Sequence, residues 1–213
     1  MAAEERQEGK MDMQAMMEAY KKLATPGAPH RLLSRMAGSW NARMKSWMEP
    51  DKPPTETTGA CEQKMVLDGR FLQQEFSGDM MGSPFNGIGF MGYDNNTKKF
   101  VSTWMDTMGT GIYLFEGDMG ADERSITQVS RYDDPIQGPM EWRSVTRIVD
   151  NDTLAMEMYS TGKSGKEEKM MEVLTPGRSD APGTQQGETT VPIIQKNYLF
   201  MWFDDQPKGR HLV

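Results

Sequence analysis

The stretch Asn86 to Ile112, NGIGFMGYDNNTKKFVSTWMDTMGTGI, constrains the fold most, because it reads as one long β-hairpin. Residues 86 to 94 and 99 to 108 have strand composition, and Asp94, Asn95, Asn96 and Thr97 between them tolerate tight turn geometry. A four-residue loop that faces Asp94 to Lys99 sets Gly89 opposite Trp104 and Gly87 opposite Asp106. An indole and a carboxylate would then stand over glycines, with open space around them. Glycine inside a strand marks a bend or the close approach of a ligand or another backbone. A strongly curved barrel with a cavity is the expectation.

The rest of the chain repeats this pattern. Strand-like segments lie near 39–49, 55–67, 70–78, 86–94, 99–108, 110–117, 124–132, 139–149, 153–160 and 166–174, with punctuation such as Pro53-Pro54, Asp68-Gly69 and Asn151-Asp152 between them. Links this short favour antiparallel neighbours, since a parallel crossover needs a dozen residues or more. A ten-strand meander can close on itself and so remove its edges. The expected fold class is all-β: an antiparallel up-and-down β-barrel of about ten strands with N-terminal helices.

The flanks differ in composition. Met1 to Lys10 is polar and expected to be disordered, whereas Met13, Met16, Met17, Tyr20 and Leu23 recur at helical spacing. They predict an amphipathic helix over 12–23 that ends at Thr25-Pro26-Gly27 and lies against the barrel. A second helix, Pro29 to Ala37, puts Leu32, Leu33 and Met36 on one side, stops at Gly38 and is expected to plug a barrel end. After Leu174 the chain takes a linker composition through Thr190, and Val191 to Phe203 turns apolar again. Poor order is expected of this tail, docking at the barrel mouth coming second. Three parts follow: an extension over 1–27, a barrel over 28–175 and a tail over 176–213.

Gly38-Ser39-Trp40, Leu67-Asp68-Gly69-Arg70-Phe71-Leu72, Gly92-Tyr93-Asp94, Trp104-Met105-Asp106 and Glu157-Met158-Tyr159 occur in that order. With these motifs the chain resembles a bacterial family of unknown function with a lipocalin-like (calycin-type) barrel, over roughly residues 28 to 175. The resemblance implies a barrel akin to lipocalins, fatty-acid-binding proteins and nitrobindins, which mostly bind small ligands in their interior. It implies no catalytic residues. In lipocalins the Gly-x-Trp motif packs across the closed end, which makes Trp40 a structural residue. The tail departs from the family, whose members generally end near the last barrel strand.

Composition removes several function classes. A net charge of -7 and a pI near 5.0, with scattered Lys and Arg, argue against a nucleic-acid or anionic-membrane surface. Cys61 is the one cysteine, so no internal disulfide forms, and the N-terminus lacks a basic region followed by an apolar one. A cytoplasmic protein is expected, with room for a homo-oligomer. The longest apolar run, near Tyr198 to Phe203, falls well short of the ~20 residues of a membrane helix.

No cofactor or metal is expected. His30 and His211 both fall outside the strands, and His30 reads as a helix-surface residue. Nitrobindin-type barrels hold haem through a histidine near the barrel end, where this chain offers methionines over 167–175. One cysteine and two distant histidines cannot build a conventional zinc site. The 21 methionines include the pairs Met80-Met81 and Met170-Met171, which suggest soft copper ligands. Neighbouring strand residues point to opposite faces, however, so such pairs read better as lining of an adaptable apolar cavity.

Glu75, Asp106, Glu141, Arg143, Arg147 and Glu157 fall within strands, and Arg70 follows a turn. Strand parity sets Glu141, Arg143 and Arg147 against Trp142, Ser144, Thr146 and Ile148 without saying which face is inside. A solvated outer face with weak ion pairs is the simpler reading; an interior arginine could instead hold a ligand carboxylate or phosphate. The expected cavity is lined by Phe90, Tyr93 and Trp104 and several methionines, with Asp106, Arg143 and Glu157 as polar candidates. The function expected is binding of a small apolar or amphiphilic molecule. The alternatives are an enzyme using Asp106 or Glu157 as a base whose pKa burial raises, and a filled barrel that recruits a protein partner.

Overall fold

The computed structural model describes residues 2–49, 52–80, 82–162 and 165–177, with side chains from residue 12 onward. The apolar tail Val191 to Phe203, His211 and Met81 lie outside the described residues. Two helices, α1 (Ala2–Ala24) and α2 (Ala28–Met36), precede ten strands. These are β1 (Gly38–Ser46), β2 (Thr55–Val66), β3 (Phe71–Met80), β4 (Ser83–Asp94) and β5 (Lys99–Asp106), followed by β6 (Tyr113–Met119), β7 (Ser125–Asp134), β8 (Gly138–Ile148), β9 (Thr153–Thr161) and β10 (Glu167–Pro176). Each strand pairs antiparallel with the next, and β1 pairs with β10 from Arg43↔Leu174 to Ser46↔Met171, closing the barrel. The fold is the all-β up-and-down barrel expected.

The β4–β5 hairpin has the predicted register, Asp94↔Lys99, Gly89↔Trp104 and Gly87↔Asp106. Its turn is held by Asp94, whose carboxylate accepts the Asn96 N–H at 2.7 Å and the Thr97 hydroxyl at 2.9 Å. Lys98 completes the turn at φ 62°.

One end of the barrel is shut. Leu32, Leu33 and Met36 of α2 are buried with Trp40, Leu72, Phe100, Ile126, Ile148 and Leu154 in one apolar cluster. Trp40 is 1% exposed and its Nε1–H donates to the Met36 carbonyl at 3.0 Å, tying β1 to the end of α2. His30 is buried, not on the helix surface: its Nδ1 accepts the Gly27 N–H at 3.0 Å at the start of α2, and its ring meets Tyr93 edge-on at 5.9 Å. Burial holds the His30 imidazole below its ordinary pKa.

Helix α1 differs from expectation twice. It starts at Ala2 rather than near Asp12, and its apolar residues Met13, Met16, Met17, Tyr20 and Leu23 are 41–65% exposed instead of packed on the barrel. Helical spacing sets a common side without supplying a surface to cover it. The helix end is joined to the barrel through Asn95, whose Nδ2 donates to the Leu23 and Thr25 carbonyls at 2.7 and 2.9 Å. No helix among the described residues is long and apolar enough to cross a membrane.

Candidate functional site: the barrel cavity

Inward-facing residues from all ten strands and Met36 enclose a cavity of about 370 Å³. Its base is the apolar plug, and β7 illustrates how the wall changes above it. Ile126 belongs to the plug, Gln128 is the next inward residue, and Tyr132 lies farther along the same face. The lower wall is polar but neutral. Gln74 Nε2 donates to Gln63 Oε1 at 3.0 Å, and the Ser102 hydroxyl donates to Gln128 Oε1 at 2.9 Å. Cys61 also lines the cavity, and burial pushes its thiol up to about 12, far from a reactive thiolate.

The upper wall is aromatic. A Cβ at Gly87 would overlap the Trp104 ring, and one at Gly89 would stand 2.9 Å from Trp104 Cε3 and 2.5 Å from the Thr103 carbonyl oxygen. The indole therefore occupies the room that the two glycines leave. Its Nε1–H donates to Asp106 Oδ2 at 2.9 Å, while Asp106 Oδ1 accepts the Met108 N–H at 2.9 Å. Tyr113 and Trp142 pack at 4.8 Å, and Tyr132 closes on Trp142 at 4.4 Å. Burial raises the Tyr132 hydroxyl to about 12, with Asp134 and Tyr113 adding to the shift.

Of the residues expected at the site, Trp104 and Asp106 line the cavity. Tyr93 faces inward at the plugged end, packed on Phe100 at 5.0 Å, below the open space. Phe90, between the inward Gly89 and Met91, is on the outer face and 37% exposed. Arg143 and Glu157 are also outside. Arg143 grips Glu167 with two bonds of 2.7 and 2.6 Å and lies over the Tyr159 ring at 4.2 Å. Glu157 is bonded to Lys169, which holds its carboxyl below the ordinary range, the reverse of a base raised by burial. Glu75, Glu141 and Arg147 likewise belong to outer ion pairs, with Lys64, Arg131 and Asp122. Arg70 Nη1 donates to the Leu67 carbonyl at 3.0 Å in the β2–β3 turn.

Met170 and Met171 both line the cavity, contrary to the alternation expected of a strand. The β9–β10 register shifts between Lys169 and Met171, so Met170 is the extra residue of a bulge. Gln128, Tyr113 and Trp142 also line the cavity without having been singled out from the sequence. For Trp142 a signal existed, because Met140, Trp142 and Ile148 share the parity opposite Glu141, Arg143 and Arg147. A lone polar Gln128 carries no such signal. Among the described residues no group of His, Cys, Asp and Glu could hold a metal ion.

The cavity-bearing barrel has relatives of known structure. The chain is similar in fold to an S-type phycobiliprotein lyase from Guillardia theta, with a TM-score of 0.50 and 12% identity over 71% of this chain and 92% of that one. It is also similar to Rv2717c from M. tuberculosis, with a TM-score of 0.55 and 16% identity over 72% of this chain and 99% of that one. At these identities the likeness is one of fold. No curated protein sequence matches the chain. A family model matches residues 25–175, and the chain belongs to that family, described as protein of unknown function (DUF1579).

Proposed function

We propose that this protein is a lipocalin-like carrier or receptor that binds a small apolar or amphiphilic molecule inside its barrel. The cavity is the observation that carries this reading. Its volume of about 370 Å³ falls within the range of roughly 300–1,000 Å³ of small-ligand sites, and its walls combine apolar side chains with a few polar groups. A filled barrel acting only as a protein-interaction module would have no use for such a space. In this reading Trp104 is the principal contact and Asp106 positions it. The binding domain spans residues 28–175, flanked by the 1–27 extension and the 176–213 tail, and the protein works in the cytoplasm.

A second reading, an enzyme acting on the same ligand, draws on the fold shared with a phycobiliprotein lyase and on the Asp106 carboxylate in the cavity. Both Asp106 oxygens already accept N–H donors, which suits positioning better than proton transfer.

Titration with N-phenyl-1-naphthylamine, an uncharged probe that fluoresces when removed from water, tests the binding reading. Saturable fluorescence at about one probe per chain, weakened severalfold by Trp104→Ala, is expected. Absence of saturable binding would sink it.

A further inference from the structure

Gln128 is 2% exposed, lines the cavity and has an Nε2 without a hydrogen-bond partner among the described residues. Its other amide atom is fixed, since Oε1 accepts the buried Ser102 hydroxyl at 2.9 Å. Gln63 and Gln74, also in the wall, bond to each other instead. Gln128 thus keeps an anchored but unmatched N–H donor buried at the cavity wall. A buried donor left unmatched is unfavourable, so an acceptor delivered by a ligand gains what the protein does not supply.

The electrostatics limit what that acceptor can be. Among the described residues that line the cavity there is no Lys, Arg or His, and Asp106 is the one carboxylate. An anionic head group at the depth of Gln128 would lose its hydration with no cation to replace it. We infer that the ligand carries an uncharged acceptor oxygen of the carbonyl type, which Gln128 Nε2 reads, with its apolar body directed toward Trp104 and Trp142. This rests on the binding reading above and names the chemical class that the site selects.

The experiment compares 2-acetylnaphthalene with 2-ethylnaphthalene, which share an outline but differ in carrying C=O or CH₂, by displacement of N-phenyl-1-naphthylamine. The ratio of their dissociation constants is measured for the full chain and for Gln128→Leu, so that their unequal affinities for water cancel. The ratio is expected to shift about tenfold toward the hydrocarbon in the variant, and 2-naphthoate is expected to bind the native chain more weakly than the ketone. The carbonyl stretch of bound 2-acetylnaphthalene should also move to lower frequency in the native protein, a reading that needs no variant. If both naphthalenes bind and the ratio stays within twofold, or if the carbonyl band is unshifted, the Gln128 assignment fails while cavity binding stands. Tighter binding of 2-naphthoate would overturn the uncharged class. Failure of every probe to bind would remove both readings together.

Discussion

Trp104 lies against Gly87 of the neighbouring strand, so close that a single added methyl would overlap its ring. The same indole is tethered by its N–H to Asp106 at 2.9 Å. The ring is thus held from two directions at the upper cavity wall, and both restraints can be probed.

Gly87→Ala should destabilise the fold by about 1–3 kcal/mol through overpacking. In a Trp104→Ala background the overlap is gone, and the same change should be neutral or stabilising by up to ~1 kcal/mol, because alanine reduces the freedom of the unfolded chain. Urea denaturation of the four proteins in this cycle measures the coupling. Equal effects in both backgrounds would mean that the indole does not lie there.

Asp106→Asn exchanges two charge-assisted bonds for an amide that can accept only at its oxygen. A loss of about 1–3 kcal/mol is expected, together with altered Trp104 emission. Unfolding followed by tryptophan fluorescence and by circular dichroism should give the same midpoint shift.

His30 makes stability depend on pH. Its folded pKa lies below the unfolded value of 6.5, mainly through burial. Protonation would also remove the Nδ1 lone pair that accepts the Gly27 N–H. The contribution is therefore complete above about pH 6.5 and declines as the pH falls from there through the folded value, with a slope of at most about 1.4 kcal/mol per pH unit. Replacing His30 by Gln should flatten that part of the profile in chemical denaturation at stepped pH.

Glu157→Gln should leave N-phenyl-1-naphthylamine affinity within about twofold, since Glu157 bonds Lys169 on the outer face. Its side chain is 33% exposed, so solvent screening keeps the stability contribution below about 1 kcal/mol. Because Lys169 lowers the folded pKa, the native chain should hold its small advantage above pH 4.5 and lose it as the pH falls through the folded value. A large affinity loss in the variant would place Glu157 in the ligand's path after all.

The amino-acid sequence by itself determined the number of strands, their antiparallel order and the register of the β4–β5 hairpin. These depend on local turn chemistry and on a side-chain period of two, both written into neighbouring residues. Trp104 and Asp106 were legible as a pair for the same reason. Only the closed barrel decided which face was inside: Phe90, Arg143 and Glu157 project outward because curvature gives each strand one enclosed face, and alternation alone is symmetric between the two. Tertiary structure also put Met170 beside Met171 in the cavity through a bulge, and left the apolar side of α1 uncovered. Gln128 becomes a candidate donor only when β5 brings Ser102, 26 residues away in sequence, against its carbonyl oxygen. Long-range contacts of this kind have no periodic signature, since closure brings together residues whose separation along the chain is set by the lengths of several strands.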